Sequence, residues 1–266
     1  MKTLSKVFIA LVFVIMYAPL AVLILFSFNS SKSTGVFSEF SFRWYAELFS
    51  SPETFLALRN TLILAASSAA IATVIGTGAA IGINAMKNKY VKGAISSVTN
   101  IPMMNPDIVT GISMMLLFVF IGGLLSVTEV LSFWTMLIAH VTFNLPYVIL
   151  SVMPKFRQMD KHLPEAAMDL GCTPLQAFFK VELHSILPGI ITGAVMAFTL
   201  SLDDFVISYF TAGSSFQTLP LMIYSMTKKE VTPDMYALST IIIVTILALL
   251  ILSNVLGAKG DKKATR

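Results

Sequence analysis

Charged residues are scarce in this sequence. They make up 12% of the 266 residues, whereas hydrophobic residues make up 56%. An ordinary soluble domain carries roughly 25% charged residues, so the composition excludes that class and predicts a membrane protein. The formal net charge of +4 does not indicate a nucleic-acid partner, because the positive residues lie between apolar segments and not along one face.

Residues that build metal or nucleotide sites are also few. The single cysteine, Cys172, cannot form an internal disulfide or a cysteine metal cluster. We expect no metal site at His162 or His184 and no catalytic residues in this chain. The chain contains no Gly-Lys pair, which excludes a phosphate-binding G-x4-G-K-[ST] loop.

Long apolar runs are what the sequence does have. Six of them reach the length of about 20 residues that crosses roughly 30 Å of hydrocarbon, and they lie near residues 7–28, 57–84, 96–121, 131–153, 186–210 and 236–256. The first run is too long for a signal-peptide core and lacks a cleavage site, so we expect it to be retained. Residues 1–266 are predicted to form a single all-α, six-helix transmembrane domain.

The positive charges predict the orientation. Lys and Arg are enriched in short cytoplasmic loops, and with the N-terminus inside, 13 of the 18 positive residues fall on the cytoplasmic side. The five outside are Lys32, Arg43, Arg59, Lys228 and Lys229. Both termini are therefore predicted to be cytoplasmic.

The loop at residues 155–185 is longer than a turn requires and contains helix start and stop signals. Pro164 and Glu165 suit the first turn of one helix, and Gly171 suits its C-terminal stop. Thr173 and Gln176 have the spacing of a capping box for a second helix. We predict two short helices joined at Gly171.

This loop resembles the EAA loop of ABC importer permeases. The resemblance rests on the pattern E-A-A-x3-G-x9-I-x-L-P, and the matching residues are Glu165, Ala166, Ala167, Gly171, Val181 and Leu183. The pattern departs at His184, which stands where the family has proline. The resemblance implies that these residues couple the chain to an ATPase.

A wider resemblance covers nearly the whole chain. Ser27-Phe-Asn-Ser30, the stretch from Met104 to Val109, and Asp203-Asp204 are similar to the C-type membrane subunit of spermidine/putrescine ABC importers. The resemblance implies a type I permease fold in the bacterial inner membrane. It also implies a heterodimer with a second permease, two cytoplasmic ATPase subunits that use ATP and Mg, and an extracytoplasmic polyamine-binding protein. No cofactor is expected in this chain.

Two adjacent carboxylates in the fifth apolar run indicate a substrate pathway. An ionised carboxylate in lipid costs on the order of 2.5–3.5 kcal/mol by insertion scales, which suggests a use. If the fifth run is one helix, its polar residues form two adjoining lines that can face one pathway. The predicted pathway residues are Asp203, Asp204, Thr199, Ser208, Tyr209 and Asp107.

Some of these polar residues also have structural interpretations. Pro102 and Pro106 predict a kink or break in the third run, where Asn105 and Asp107 suit the start of a new helix. One of the two aspartates could pair with a group of the partner permease. His140 and Asn144, one turn apart, are expected to make interhelical hydrogen bonds.

Other functions remain open from the sequence. An ABC permease for an iron complex, thiamine or a phosphonate has the same fold. An ion-coupled secondary transporter is a further alternative, with Asp203 and Asp204 as ion sites. An intramembrane aspartyl protease is disfavoured, because adjacent residues on a helix point about 100° apart and cannot form a facing dyad.

Overall fold

The structure is a computed structural model that describes residues 2–31, 36–160, 162–214, 216–228 and 233–264. Within these ranges the regular elements are helices, apart from an isolated antiparallel bridge between Asn29 and Phe40. Of the residues used to predict the orientation, Lys32, Lys161, Lys229 and Arg266 lie outside the described residues.

Twelve α-helices are described, in chain order. They are α1 (Lys2–Phe26), α2 (Arg43–Ser50), α3 (Pro52–Ala85), α4 (Lys89–Met104), α5 (Asp107–Leu124), α6 (Phe133–Gln158), α7 (Leu163–Asp169), α8 (Pro174–Ala177), α9 (Leu183–Asp203), α10 (Val206–Thr211), α11 (Leu219–Thr227) and α12 (Pro233–Ala264). A π-helical turn, Phe178–Glu182, lies between α8 and α9.

Helices occupy all six predicted positions. Five helical segments are long and apolar enough to cross a membrane: Ser5–Phe26, Pro52–Ala85, Asp107–Leu124, Phe133–Gln158 and Pro174–Asp203. Among the described residues of α12, the apolar part is the shorter stretch Asp234–Ala248. The all-α class predicted from the apolar runs is confirmed.

The break predicted in the third apolar run, 96–121, is confirmed. The chain breaks between α4 and α5, where Asn105 is extended with φ −79° and ψ 138°. The cause is Pro106, because a residue that precedes proline is disfavoured in the helical region. Asn105 was predicted to cap the next helix, and this is wrong. Pro106 occupies the N-cap position, and no side-chain cap bond is formed there.

The fifth predicted span, 186–210, is also broken. The α9 helix ends at Asp203, Asp204 is extended with φ −64° and ψ 125°, and α10 begins at Val206. The charged pair therefore lies at a helix break inside an apolar region.

One compact unit of the chain comprises Met1–Arg59 and Leu219–Leu247. Its core packs Trp44 and Leu48 of α2 against Leu219 and Leu238. The indole N–H of Trp44 donates to the Asn29 carbonyl oxygen at 2.6 Å. This bond ties α2 to the segment that follows α1.

The second compact unit comprises Asn60–Thr218 and Ala248–Arg266. Here α6 and α9 pack closely, because Gly189 lets the backbones approach: a Cβ atom at Gly189 would lie 2.8 Å from the carbonyl oxygen of Ser151. Similarly, Gly111 of α5 lies against Phe210 of α10. These contacts fix α9 and α10, the two helices that flank the charged pair.

Candidate functional site

The carboxylate of Asp204 bonds the start of α10, the short helix that follows it and whose N-cap residue is Phe205. Its oxygens accept hydrogen bonds from the backbone N–H groups of Ser208, at 2.8 Å, and Ile207, at 3.3 Å. These are two of the donors that a helix start leaves without partners. The bonds hold the Asp204 side chain inward, where it is only 8% exposed.

His140 of α6 approaches the same carboxylate. Its Nε2 atom lies 3.0 Å from the hydroxyl oxygen of Ser208 and 3.4 Å from Oδ2 of Asp204. Both His140 and Ser208 are fully buried. An imidazole N–H is a suitable donor to a carboxylate in such a place, where an unpaired charge is costly.

One helical turn further along α6, Asn144 begins a chain of hydrogen bonds. Its amide nitrogen donates to the hydroxyl of Ser201 at 2.7 Å, and that hydroxyl lies 2.8 Å from the hydroxyl of Ser68. Ser68 in turn donates to the carbonyl oxygen of Ala65. The donors therefore run in one direction, from α6 through α9 to α3. The interhelical bonding predicted for His140 and Asn144 is confirmed.

Asp203 differs from its neighbour in exposure. Its residue surface is exposed, whereas Asp204 is half-buried. The neighbouring rings form an aromatic row: Tyr209 lies 5.6 Å from Phe205 and 5.3 Å from Phe210, between ring centroids. Tyr209 is 46% exposed, so a carboxylate and an aromatic face are both open to the surroundings at the break.

The remaining predicted pathway residues divide between inward and outward positions. Ser208 is buried, and the hydroxyl of Thr199 donates to the Val195 carbonyl oxygen within its own helix at 2.9 Å. Asp107 is exposed at the start of α5.

The prediction of two polar lines on one continuous helix is wrong. Because the helix breaks at Asp204, Asp204 and Ser208 point into the protein and bond each other, while Asp203 is exposed. The signal that could have found the break is Asp204 itself, since a carboxylate is favoured beside the first N–H groups of a helix. The sequence reasoning also left Ser68 out of the polar cluster.

The loop at residues 162–182 folds around Gly171 as predicted. Gly171 has a φ of +92°, a value that favours glycine. Its N–H donates to the carbonyl oxygen of Met168, and the N–H of Cys172 donates to the carbonyl oxygen of Ala167. These are the two hydrogen bonds of a Schellman motif. The capping box between Thr173 and Gln176 is formed in both directions.

The second helix of this loop was predicted to be a separate short helix. In the structure it continues into the membrane span. The α8 helix passes through the π-helical turn into α9, which gives one helical segment from Pro174 to Asp203. His184 lies inside that segment, so the departure from the family pattern leaves the helix unbroken. Val181 lies in the π-helical turn and Leu183 begins α9; both are half-buried.

The residues of the EAA pattern face in different directions. Glu165 and Ala166 are exposed, whereas Ala167 is buried. The Glu165 carboxylate lies 3.0 Å from Nδ1 of His162. Large apolar side chains of the same loop, such as Leu170 (87% exposed) and Leu175 (70% exposed), stand at the surface. The loop thus exposes both charged and apolar side chains.

No group of three or more His, Cys, Asp or Glu residues is placed to hold a metal ion within the described part of the chain.

The membrane helices include two that are broken, and the loop at residues 162–182 turns at Gly171. These features define a polytopic helical permease. Residues 72–265 match the family described as "Binding-protein-dependent transport system inner membrane component", and the chain belongs to that family. It is therefore an integral inner-membrane subunit of an ABC importer and not an enzyme. The ion-coupled transporter considered above is not supported.

Named relatives align over almost the whole chain. The putrescine transport system permease protein PotI of Escherichia coli strain K12 is 36% identical over 98% of this chain and 92% of its own length. The spermidine/putrescine transport system permease protein PotC of Haemophilus influenzae is 37% identical over 97% of this chain and 98% of its own length.

Solved structures agree in fold. A chain of a bacterial ABC transporter that imports the acidic polysaccharide alginate superposes with a TM-score of 0.74 at 14% identity, over 97% of this chain and 95% of its own. A chain of the inward-facing MetNI methionine ABC transporter gives a TM-score of 0.65 at 16% identity, over 79% of this chain and 99% of its own. The type I ABC importer permease fold is confirmed.

Proposed function

We propose that this chain is the membrane subunit through which a polyamine, spermidine or putrescine, enters the cytoplasm. The observation that carries the proposal is the exposed carboxylate of Asp203 beside the aromatic row at the helix break. The named relatives, which are putrescine and spermidine/putrescine permeases over nearly the full length, support the same substrate class.

The chemistry of the break suits a polycationic amine. A carboxylate attracts one ammonium group, and an ammonium group over an aromatic face gains about 0.5–2 kcal/mol. Methylene groups between the amines can lie along the rings of Phe205 and Tyr209. Asp204 has a different part in this proposal, because its oxygens already bond the start of α10.

The loop around Gly171 is proposed to transmit the ATPase stroke. In this proposal Glu165, Ala166 and Ala167 meet a cytoplasmic ATPase subunit, which binds ATP and Mg. The π-helical turn with Val181, followed by Leu183, carries the movement into α9. Because α8, the π turn and α9 form one helical segment, a displacement of the loop is passed directly to the charged pair.

The assembly that we propose has four kinds of subunit: this chain, a second related permease, a pair of ATPases and an extracytoplasmic polyamine-binding protein. Both termini of this chain and residues 155–185 lie in the cytoplasm in this arrangement. The charge distribution of the sequence supports it, since cytoplasmic loops are enriched in Lys and Arg.

The test is ATP-driven uptake by the complex reconstituted in proteoliposomes with its binding protein. Radiolabelled spermidine and putrescine are compared with thiamine, an iron complex and a phosphonate. We expect ATP-dependent accumulation of an amine and none of the other three. Accumulation of one of the other solutes, without the amines, would overturn the substrate assignment and leave the importer assignment intact.

A further inference from the structure

Two side chains on one face of α6 bond the chain on both sides of the helix break. Asn144 donates to Ser201, which lies three residues before Asp204. His140 lies within hydrogen-bond distance of Ser208, four residues after Asp204. The break therefore has a polar attachment to the same neighbouring helix on each side.

The α6 helix can hold these two attachments at a fixed spacing. His140 and Asn144 are separated by four residues of an uninterrupted helix, a rise of about 6 Å. Both side chains are fully buried, as are Ser201 and Ser208. Desolvated hydrogen bonds in such a place are geometrically demanding, because a misplaced partner leaves a buried polar group unsatisfied.

We propose that His140 and Asn144 are positioning residues that hold the broken helix so that Asp203 faces outward while the Asp204 carboxylate bonds the start of α10. This proposal deepens the proposed function, since the carboxylate it orients is the one assigned to the amine. The pair acts through Ser201, Ser208 and Asp204, and neither residue is assigned a contact with substrate.

The geometry explains why two adjacent aspartates have different exposure. Asp204 is extended, so the carboxylates of residues 203 and 204 leave the backbone in different directions. The inward direction of Asp204 is set by its two backbone bonds and by Nε2 of His140 at 3.4 Å. Without the attachments at Ser201 and Ser208, the break could close into a continuous helix, and Asp203 would lose its fixed outward orientation.

The test measures the accessibility of position 203 independently of any substrate. Because Cys172 is the one native cysteine of this chain, Cys172→Ser gives a background in which Asp203→Cys is the single thiol of this subunit. The solubilised complex, with its partner subunits, is treated with a charged thiol reagent, and the label is read on this subunit after the subunits are separated. A matched control carries Tyr90→Cys instead, at a residue of α4 that is 90% exposed and lies outside the loop assigned to the ATPase.

We expect His140→Ala and Asn144→Ala each to lower the labelling rate at position 203 by roughly tenfold, the scale of one lost hydrogen bond to a charged or buried group. The rate at position 90 stays constant. His140→Gln keeps an N–H donor and restores much of the rate at 203. Unchanged labelling at 203 in the assembled complex, or equal loss at 203 and 90, contradicts the proposal.

Smaller substitutions keep the test decisive if the alanine variants fail to assemble. Ser201→Ala and Ser208→Ala each remove one hydroxyl group with little change in volume, and each should lower labelling at 203. Assembly with normal labelling in both variants contradicts the proposal.

Transport separates this inference from the proposed function. In the native background, His140→Ala should lower the maximal rate of amine uptake and leave the half-saturating concentration of the amine-loaded binding protein unchanged, because His140 is assigned no contact with that protein. If the parent takes up amine normally and labelling at position 203 does not change in the variants, the positioning role is contradicted and the proposed function is not. A labelling change in a complex that transports no amine defeats the proposed substrate alone.

Discussion

Substitution of Gly171 gives the sharpest test of the coupling loop. The residue has a φ of +92°, and a Cβ atom placed there meets no heavy atom within 4 Å. A side chain at position 171 therefore costs free energy because of the backbone conformation and not because of a steric clash. For an ordinary L residue in this region the cost amounts to about 1–2 kcal/mol. Asparagine tolerates the left-handed region better, and a β-branched residue tolerates it least.

The physical reasoning predicts an order of variants. ATP-driven uptake should decrease from the parent through Gly171→Asn and Gly171→Ala to Gly171→Val, because loss of the Schellman motif displaces α8 relative to α7. The assay compares uptake with the amount of ATPase subunit that copurifies with the membrane subunits. Assembly of the two permeases should survive in all three variants.

Gly93→Ala is the matched control. Gly93 is a helical, exposed glycine on α4, and a Cβ atom there also meets nothing within 4 Å. Alanine is favoured over glycine inside a helix by roughly 0.5–1 kcal/mol, so uptake should be normal. Equal uptake by all three Gly171 variants, or a loss in the Gly93 control of the same size, would refute the reasoning.

Three further predictions concern packing, coupling and orientation. Gly189→Val should lower the free energy of unfolding by about 1–3 kcal/mol, because a Cβ atom there meets the Ser151 carbonyl oxygen at 2.8 Å. Thermal unfolding of the solubilised complex measures this change. Gly82→Ala, at a glycine whose Cβ would lie in open space, is the control and should not lower the free energy of unfolding. Glu165→Lys should reduce ATPase copurification without affecting permease assembly, and normal copurification would count against it. Reporter fusions after Lys89, within residues 155–185 and at the C-terminus should all be cytoplasmic; an external reporter in the loop would reverse the predicted orientation.

Much of the fold can be predicted from short stretches of the sequence. Apolar runs determine where helices lie, and the glycine stop and capping box of the loop form as predicted, since each depends on only a few neighbouring residues. Pro106 likewise marks a break by its own covalent geometry. The π-helical turn before α9 has no comparable local signal, so the continuation of α8 into the membrane span was missed.

The site is harder to predict because its geometry depends on contacts between distant residues. The sequence indicates that Asp203 and Asp204 are unusual, but their different roles arise from His140, which is 64 residues away from Asp204 and bonds the chain beyond the break. The bond between Ser201 and Ser68 spans 133 residues. Neither pairing can be found from helical spacing within the fifth span.

The most direct test of the account replaces Asp203. Asp203→Asn keeps the size of the side chain and removes its charge, so loss of a charge-assisted contact should lower the maximal rate of amine uptake by at least roughly tenfold, with normal assembly and binding-protein docking. Glu129→Gln, at an exposed carboxylate outside the helices, is the control and should be normal. ATP-driven spermidine uptake measured for both variants decides the question. A large loss in Asp203→Asn alone is the predicted result, and parent-like uptake by that variant would contradict the assignment of Asp203 to the substrate.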